Sequence, residues 1–197
     1  MAEKRSKEIS RSGVQFSPEA LVGSVVKQPG YLRFAQDLIR FGALDVVEVG
    51  FDTGEFLNYL LHNGYAARGL DLRLPTWHSN AYVRGDAKDM VALFGEESLD
   101  AVIARGVFSL GATGVYLGTE IFEPPRIKVG CTQEQRSAWT RQAIQPRLEG
   151  MWGALRPGGH ALIAEKDHET FAFTSEDTLA VGFIVDVFEP SYAILRK

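Results

Sequence analysis

The chain has 197 residues, 45% of them hydrophobic, which suffices for one well-buried α/β domain and is short for two. Its net charge of −4 argues against a broad electrostatic footprint for DNA or RNA, which shows as a basic patch or a basic balance. The only cysteine, Cys131, has no internal disulfide partner, and no apolar run reaches the roughly 18 residues of a membrane span, so a cytoplasmic protein without a membrane partner is expected.

Residues 1–16 are charged and lack the apolar stretch of a secretory signal; they read as a flexible tail before a single domain at 17–197. Ser17-Pro18-Glu19 resembles a helix start, with Ser17 as cap and Pro18 in the first turn, and Gln28-Pro29-Gly30 reads as its end. A second helix is predicted over 31–40, with Leu32, Ala35, Leu38 and Ile39 on one apolar face. These leading helices fill 17–43. From 45 onward, short apolar runs alternate with amphipathic stretches, the pattern of βαβ units. Strands are predicted near 45–50, 66–71, 81–84, 99–104, 159–165, 182–188 and 191–196, and helices near 54–63, 87–94 and 133–154. Only Glu189-Pro190 separates the last two strands, too little for a parallel crossover, so they form an antiparallel hairpin. The glycine-rich stretch 106–130 follows the fourth strand, where open α/β folds bind ligands, and reads as a substrate-loop insertion.

The order of parts around Val46-Val47-Glu48-Val49-Gly50-Phe51-Asp52-Thr53-Gly54 is strand, glycine turn, helix. A buried strand delivers the chain to a turn whose glycines let backbone N–H groups approach a ligand, beside a helix amino end. Asp71 follows Gly50 by 21 residues, close to the offset of about 20 at which an acid on the second strand meets ribose hydroxyls. A dinucleotide turn would want glycine at 52 and 55, where this chain has Asp52 and Glu55.

Glu48-Val-Gly50-x-Asp52-x-Gly54 resembles the E/D-x-G-x-G-x-G signature of class I S-adenosylmethionine-dependent methyltransferases. Gly85-Asp86-Ala87 is similar to that family's acid after the third strand, Leu99 to Phe108 to its fourth strand, and Leu155-Arg-Pro-Gly-Gly159 to the turn entering its fifth. The resemblance implies a three-layer Rossmann-like fold with a seven-stranded, mainly parallel sheet and a C-terminal antiparallel hairpin. It implies S-adenosyl-L-methionine as cofactor, bound by Glu48, Gly50, Asp52, Gly54, Asp71, Leu72, Asp86, Ala87 and Arg105, and in-line methyl transfer to a small-molecule acceptor. It also implies leading helices that cover the pocket; simple capping of a sheet edge is the alternative.

Asp52 replaces the middle glycine of the signature. Its carboxylate either turns inward to meet the cofactor's ammonium or obstructs the pocket, which would leave a catalytically silent binding or regulatory domain. Asp86-Ala87-Lys88-Asp89 also reads as a helix cap. Arg105 calls for an acidic partner or an anionic substrate group. The four histidines lack metal-ligand spacing, so no metal site is expected; His78 and His168 are the acid–base candidates. Trp139 and Trp152 fall on a helical stripe with Ile144, Leu148, Met151 and Leu155, a core pattern, and Trp77 lies in a loop where it could wall a pocket.

Overall fold

A computed structural model describes residues 29–51, 54–72, 80–108, 133–165, 171 and 173–197. The elements in chain order are α1 (Pro29–Phe41), β1 (Asp45–Val49), α2 (Glu55–His62), β2 (Ala66–Asp71), β3 (Tyr82–Arg84), a 3-10 turn (Ala87–Asp89), α3 (Met90–Phe94) and β4 (Leu99–Arg105). After these come α4 (Gln133–Ala154), β5 (Leu155–Ala164), α5 (Ser175–Val181), β6 (Ile184–Glu189) and β7 (Tyr192–Arg196). The seven strands form one sheet in the order β3-β2-β1-β4-β5-β7-β6. The pairs from β3 through β5 are parallel, and β7 runs antiparallel to both β5 and β6. The predicted sheet and closing hairpin are both present.

Alternation along the central strands explains why both faces are covered. Val46, Ala101 and Ile103 bury on one side with Phe34 and Leu38 of α1 and Phe56 and Leu60 of α2. Val47, Val102 and Ala104 bury on the other with Met90, Leu148 and Met151. Strands so covered read as largely apolar runs, as 45–49 and 99–104 do apart from Asp45, Glu48 and Asp100. The predicted stripe on α4 is core: Ile144, Leu148 and Met151 are buried, and Trp152 packs against them under the Lys197 ammonium.

Three boundaries differ from expectation. Helix α1 begins at Pro29 rather than 31, since proline is well suited to a first turn. Strand β5 starts at Leu155 rather than 159, paired to Leu99 before a register shift. There Gly159 approaches the Asp100 and Leu99 carbonyls so closely that a Cβ would stand 3.1 Å from each. Helix α5 was not predicted; its signal is the capping box Thr174-x-x-Asp177, with Gly182 in the left-handed region at its end. The proposed tail, the helix after Ser17, Asp52, Trp77, His78, Cys131, His168, the Trp139 side chain and the insertion from 109 to 130 lie outside the described residues.

Candidate functional site: a cleft at the carboxyl edge of the sheet

The chain runs outward from β1 to β3 and then returns to β4 on the other side of β1, so the carboxyl ends of β1 and β4 diverge into a crevice. The turn leaving β1 is built on two glycines. Gly50 has φ 72° and donates to the Leu70 carbonyl at 2.8 Å; Gly54 has φ 71° and stands at the amino end of α2 with no side-chain cap. Both are backbone states that disfavour a Cβ. Gly69 on β2 admits the turn against the strand: a Cβ there would lie 2.6 Å from the Phe51 ring and 2.7 Å from the Leu57 side chain.

This geometry opens a cleft of about 450 Å³, its mouth included. Strand β1 contributes Val49 and Gly50, and β2 contributes Leu70, Asp71 and Leu72 beyond its tip. The turn after β3 adds Gly85, Asp86 and Ala87; the end of β4 adds Val107 and Phe108; α4 adds Ile144 and Arg147. Five predicted residues are therefore brought together: Gly50, Asp71, Leu72, Asp86 and Ala87. The walls are apolar and the carboxylates few, the usual character of a small-molecule site. Phe108 is fixed in its wall by its N–H, which donates to buried Glu165 at 3.1 Å.

Asp86 takes the capping role read from its sequence and adds an ion pair that was not foreseen. Its Oδ1 accepts from the Lys88 N–H at 3.4 Å and so caps the 3-10 turn, while its Oδ2 accepts from Arg147 Nη2 at 2.6 Å. Sequence reasoning missed Arg147. The available signal was an arginine flanking the apolar stripe of α4, one turn before Gly150.

Glu48, Gly54 and Arg105 are not among the residues lining this cleft. Glu48 is 2% exposed, and burial, only partly offset by the Tyr31 hydroxyl and the Leu57 N–H, pushes its carboxyl up to about 8. Its Oε2 is buried without a hydrogen-bond partner, as is Arg105 Nε. Tyr31 of α1 lies over this pair, its ring 5.0 Å from the Arg105 guanidinium and stacked on Phe56 at 4.5 Å. Burial, with Glu48 adding to it, holds the Tyr31 hydroxyl well above its usual range. Helix α1 thus covers the carboxyl edge of β1 and β4. It is tied at its far side by Arg33, bidentate to Glu189 at 2.7 and 3.0 Å, and by Asp37, which accepts from the Tyr192 hydroxyl at 2.6 Å.

The described histidines are structural. His62 contacts the Asn58 carbonyl at 2.7 Å and His160 stacks on Phe41 at 3.7 Å. Among the described residues no helix is long and apolar enough to cross a membrane.

No protein-family model matches the sequence, and no curated protein does. Solved structures do resemble the fold. A SAM-dependent methyltransferase from Archaeoglobus fulgidus superposes with a TM-score of 0.54 at 14% identity, over 85% of this chain and 92% of that one. The Burkholderia thailandensis 1,6-didemethyltoxoflavin-N1-methyltransferase, solved with 1,6-didemethyltoxoflavin and S-adenosylhomocysteine bound, gives 0.50 at 18% identity over 88% and 81%. At such identities the likeness is one of fold.

Proposed function

Because this chain carries the Rossmann-like fold of S-adenosylmethionine-dependent methyltransferases, we propose that it binds S-adenosyl-L-methionine in the cleft and transfers its methyl group to a small-molecule acceptor. The observation that carries the reading is the convergence of Gly50, Asp71, Leu72, Asp86 and Ala87 on one cleft at the point where the strand order reverses. The donor and acceptor set suits an adenosyl group. Asp71 has two carboxylate oxygens for vicinal hydroxyls, the Gly50 turn admits close backbone approach, and Leu72, Val107, Phe108 and Ile144 offer apolar faces to a base.

When bound, the cofactor supplies a methyl group on a sulfonium, already activated for in-line displacement. What the chain must add is alignment, which alone can contribute roughly 7–11 kcal/mol. In this reading Asp71 orients the ribose, Asp86 with the Ala87 backbone meets the base, and the apolar wall around Phe108 excludes water. Asp52 is the carboxylate that would meet the cofactor's ammonium, and Glu48 and Arg105 hold the floor beneath α1. An acceptor hydroxyl would require a base, for which His78 and His168 are the candidates.

A net charge of −4 supports a small acceptor over a nucleic acid. The Burkholderia thailandensis enzyme holds the small molecule 1,6-didemethyltoxoflavin, which supports the same reading by analogy of fold. A cytoplasmic address goes with it. Titration calorimetry with S-adenosylmethionine and S-adenosylhomocysteine tests the proposal: micromolar affinity is expected, and no heat at millimolar ligand would refute it. A mass-spectrometric screen of metabolites for the gain of one methylene, run with protein and cofactor, would then identify the acceptor.

A further inference from the structure

We infer that Arg147 is a positioning residue that makes the cleft selective for a 6-amino purine over a 6-oxo purine, an inference resting on the adenosyl reading above. Three observations converge on it. Arg147 and Asp86 both line the cleft, and their side chains are 15% and 13% exposed. The guanidinium is tied at two nitrogens, with Nη1 donating to the Ala143 carbonyl of its own helix and Nη2 to Asp86 Oδ2 at 2.6 Å. The helix itself is seated on the turn that carries Asp86: a Cβ at Gly150 would stand 2.2 Å from the Ala87 carbonyl oxygen and 2.9 Å from Lys88 Cα. Arg147 and Gly150 are three residues apart and share a helix face, so the close approach that glycine permits delivers the arginine to Asp86.

The chemical consequence follows from the inventory of donors. A guanidinium is always charged and only donates, so the Asp86 oxygens facing it act as acceptors. With Oδ1 turned to the Lys88 N–H and Oδ2 to Arg147, the carboxylate is fixed in orientation and keeps lone pairs for a ligand. The exocyclic amino group of adenine satisfies such an acceptor. A 6-oxo purine opposes it with another acceptor, which leaves two buried oxygens facing each other without a proton. Without Arg147 the carboxyl is free to rotate away from the amino group, and the preference shrinks.

The test is titration calorimetry of the full chain with S-adenosylhomocysteine and with S-inosylhomocysteine, its deaminated form. The wild type is expected to prefer the adenosyl ligand by about 30-fold or more, and Arg147→Met to reduce that ratio by about tenfold. A change confined to packing would weaken both ligands equally and leave the ratio in place. Asp86→Asn, whose amide can donate as well as accept, is expected to bring the ratio near one; Arg147→Lys, which keeps the charge and loses the fork, falls between. A folded Arg147→Met with the wild-type ratio overturns the inference. If that variant does not fold, wild-type ratios in both Asp86→Asn and Arg147→Lys overturn it. Wild-type protein that binds both ligands equally refutes this inference alone, whereas protein that binds neither refutes the adenosyl reading and this with it.

Discussion

Asp100 and Glu48 are both buried carboxylates on central strands, 7% and 2% exposed, yet they sit at opposite edges of the sheet and are treated in opposite ways. At the amino edge, Asp100 Oδ2 accepts from the Leu44 and Asp45 N–H groups at 2.7 and 3.1 Å, and Oδ1 faces Arg156 at 2.7 Å. Its hydrogen-bonding capacity goes into joining β4 to the entry of β1. Toward the carboxyl edge, Glu48 has one oxygen with no partner and a carboxyl pushed up to about 8 by burial. The difference teaches that a buried acid is used differently at the two edges: Asp100 is consumed in holding the fold, and Glu48 keeps an oxygen without a hydrogen-bond partner. Perturbed groups gather at functional sites for this reason.

The contrast breaks most sharply at Asp71. Asp71→Ala is expected to weaken S-adenosylhomocysteine binding by roughly 100-fold, the scale of losing charge-assisted hydrogen bonds to two hydroxyls, with little change in thermal stability. Calorimetry paired with a melting curve checks it; a folded variant with undiminished affinity would remove the ribose from Asp71. Asp100→Ala should do the converse. With the Leu44 and Asp45 N–H groups left to find new partners, stability is expected to fall by about 2–4 kcal/mol in urea unfolding, while the folded protein binds with unchanged affinity. A loss of affinity at constant stability would abolish the division between the two edges.

How much of this could be read from the chain depends on how local each device is. The Gly50 and Gly54 turn and the acid at the end of β2 were legible because each needs only a short run of residues and one fixed offset. The mainly parallel sheet and its closing hairpin followed from the alternation of strands and helices together with the two-residue link at Glu189-Pro190. Arg147 was not legible, because its meaning comes from Gly150 resting on the Ala87 carbonyl, a contact across 63 residues that no periodicity announces. Helix α5 was obscured for a different reason: Ser175-Glu176-Asp177-Thr178 is polar and weakly helical, and only the box closed by Thr174 and Asp177 makes it start there. The Glu48, Arg105 and Tyr31 cluster lay between these cases. Its charged members were singled out from sequence, but Tyr31 over Arg105 required the packing of α1.

Glu48→Gln sharpens the comparison through its dependence on pH. A carboxyl whose value rises from 4.5 to about 8 on folding binds a proton in the native state that the unfolded chain releases between those two pH values. The native protein therefore loses stability as pH climbs through that window, with a slope of at most about 1.4 kcal/mol per pH unit from this group. Below the lower value both states are protonated and the group has no effect. Glutamine has nothing to release, so the variant should match the wild type near pH 4 and exceed it by about 2–4 kcal/mol at pH 8. Urea unfolding at pH 4, 6 and 8 measures the divergence. A wild-type slope that survives intact in Glu48→Gln would assign the proton to another group, and the two buried carboxylates would then no longer differ in the way their surroundings demand.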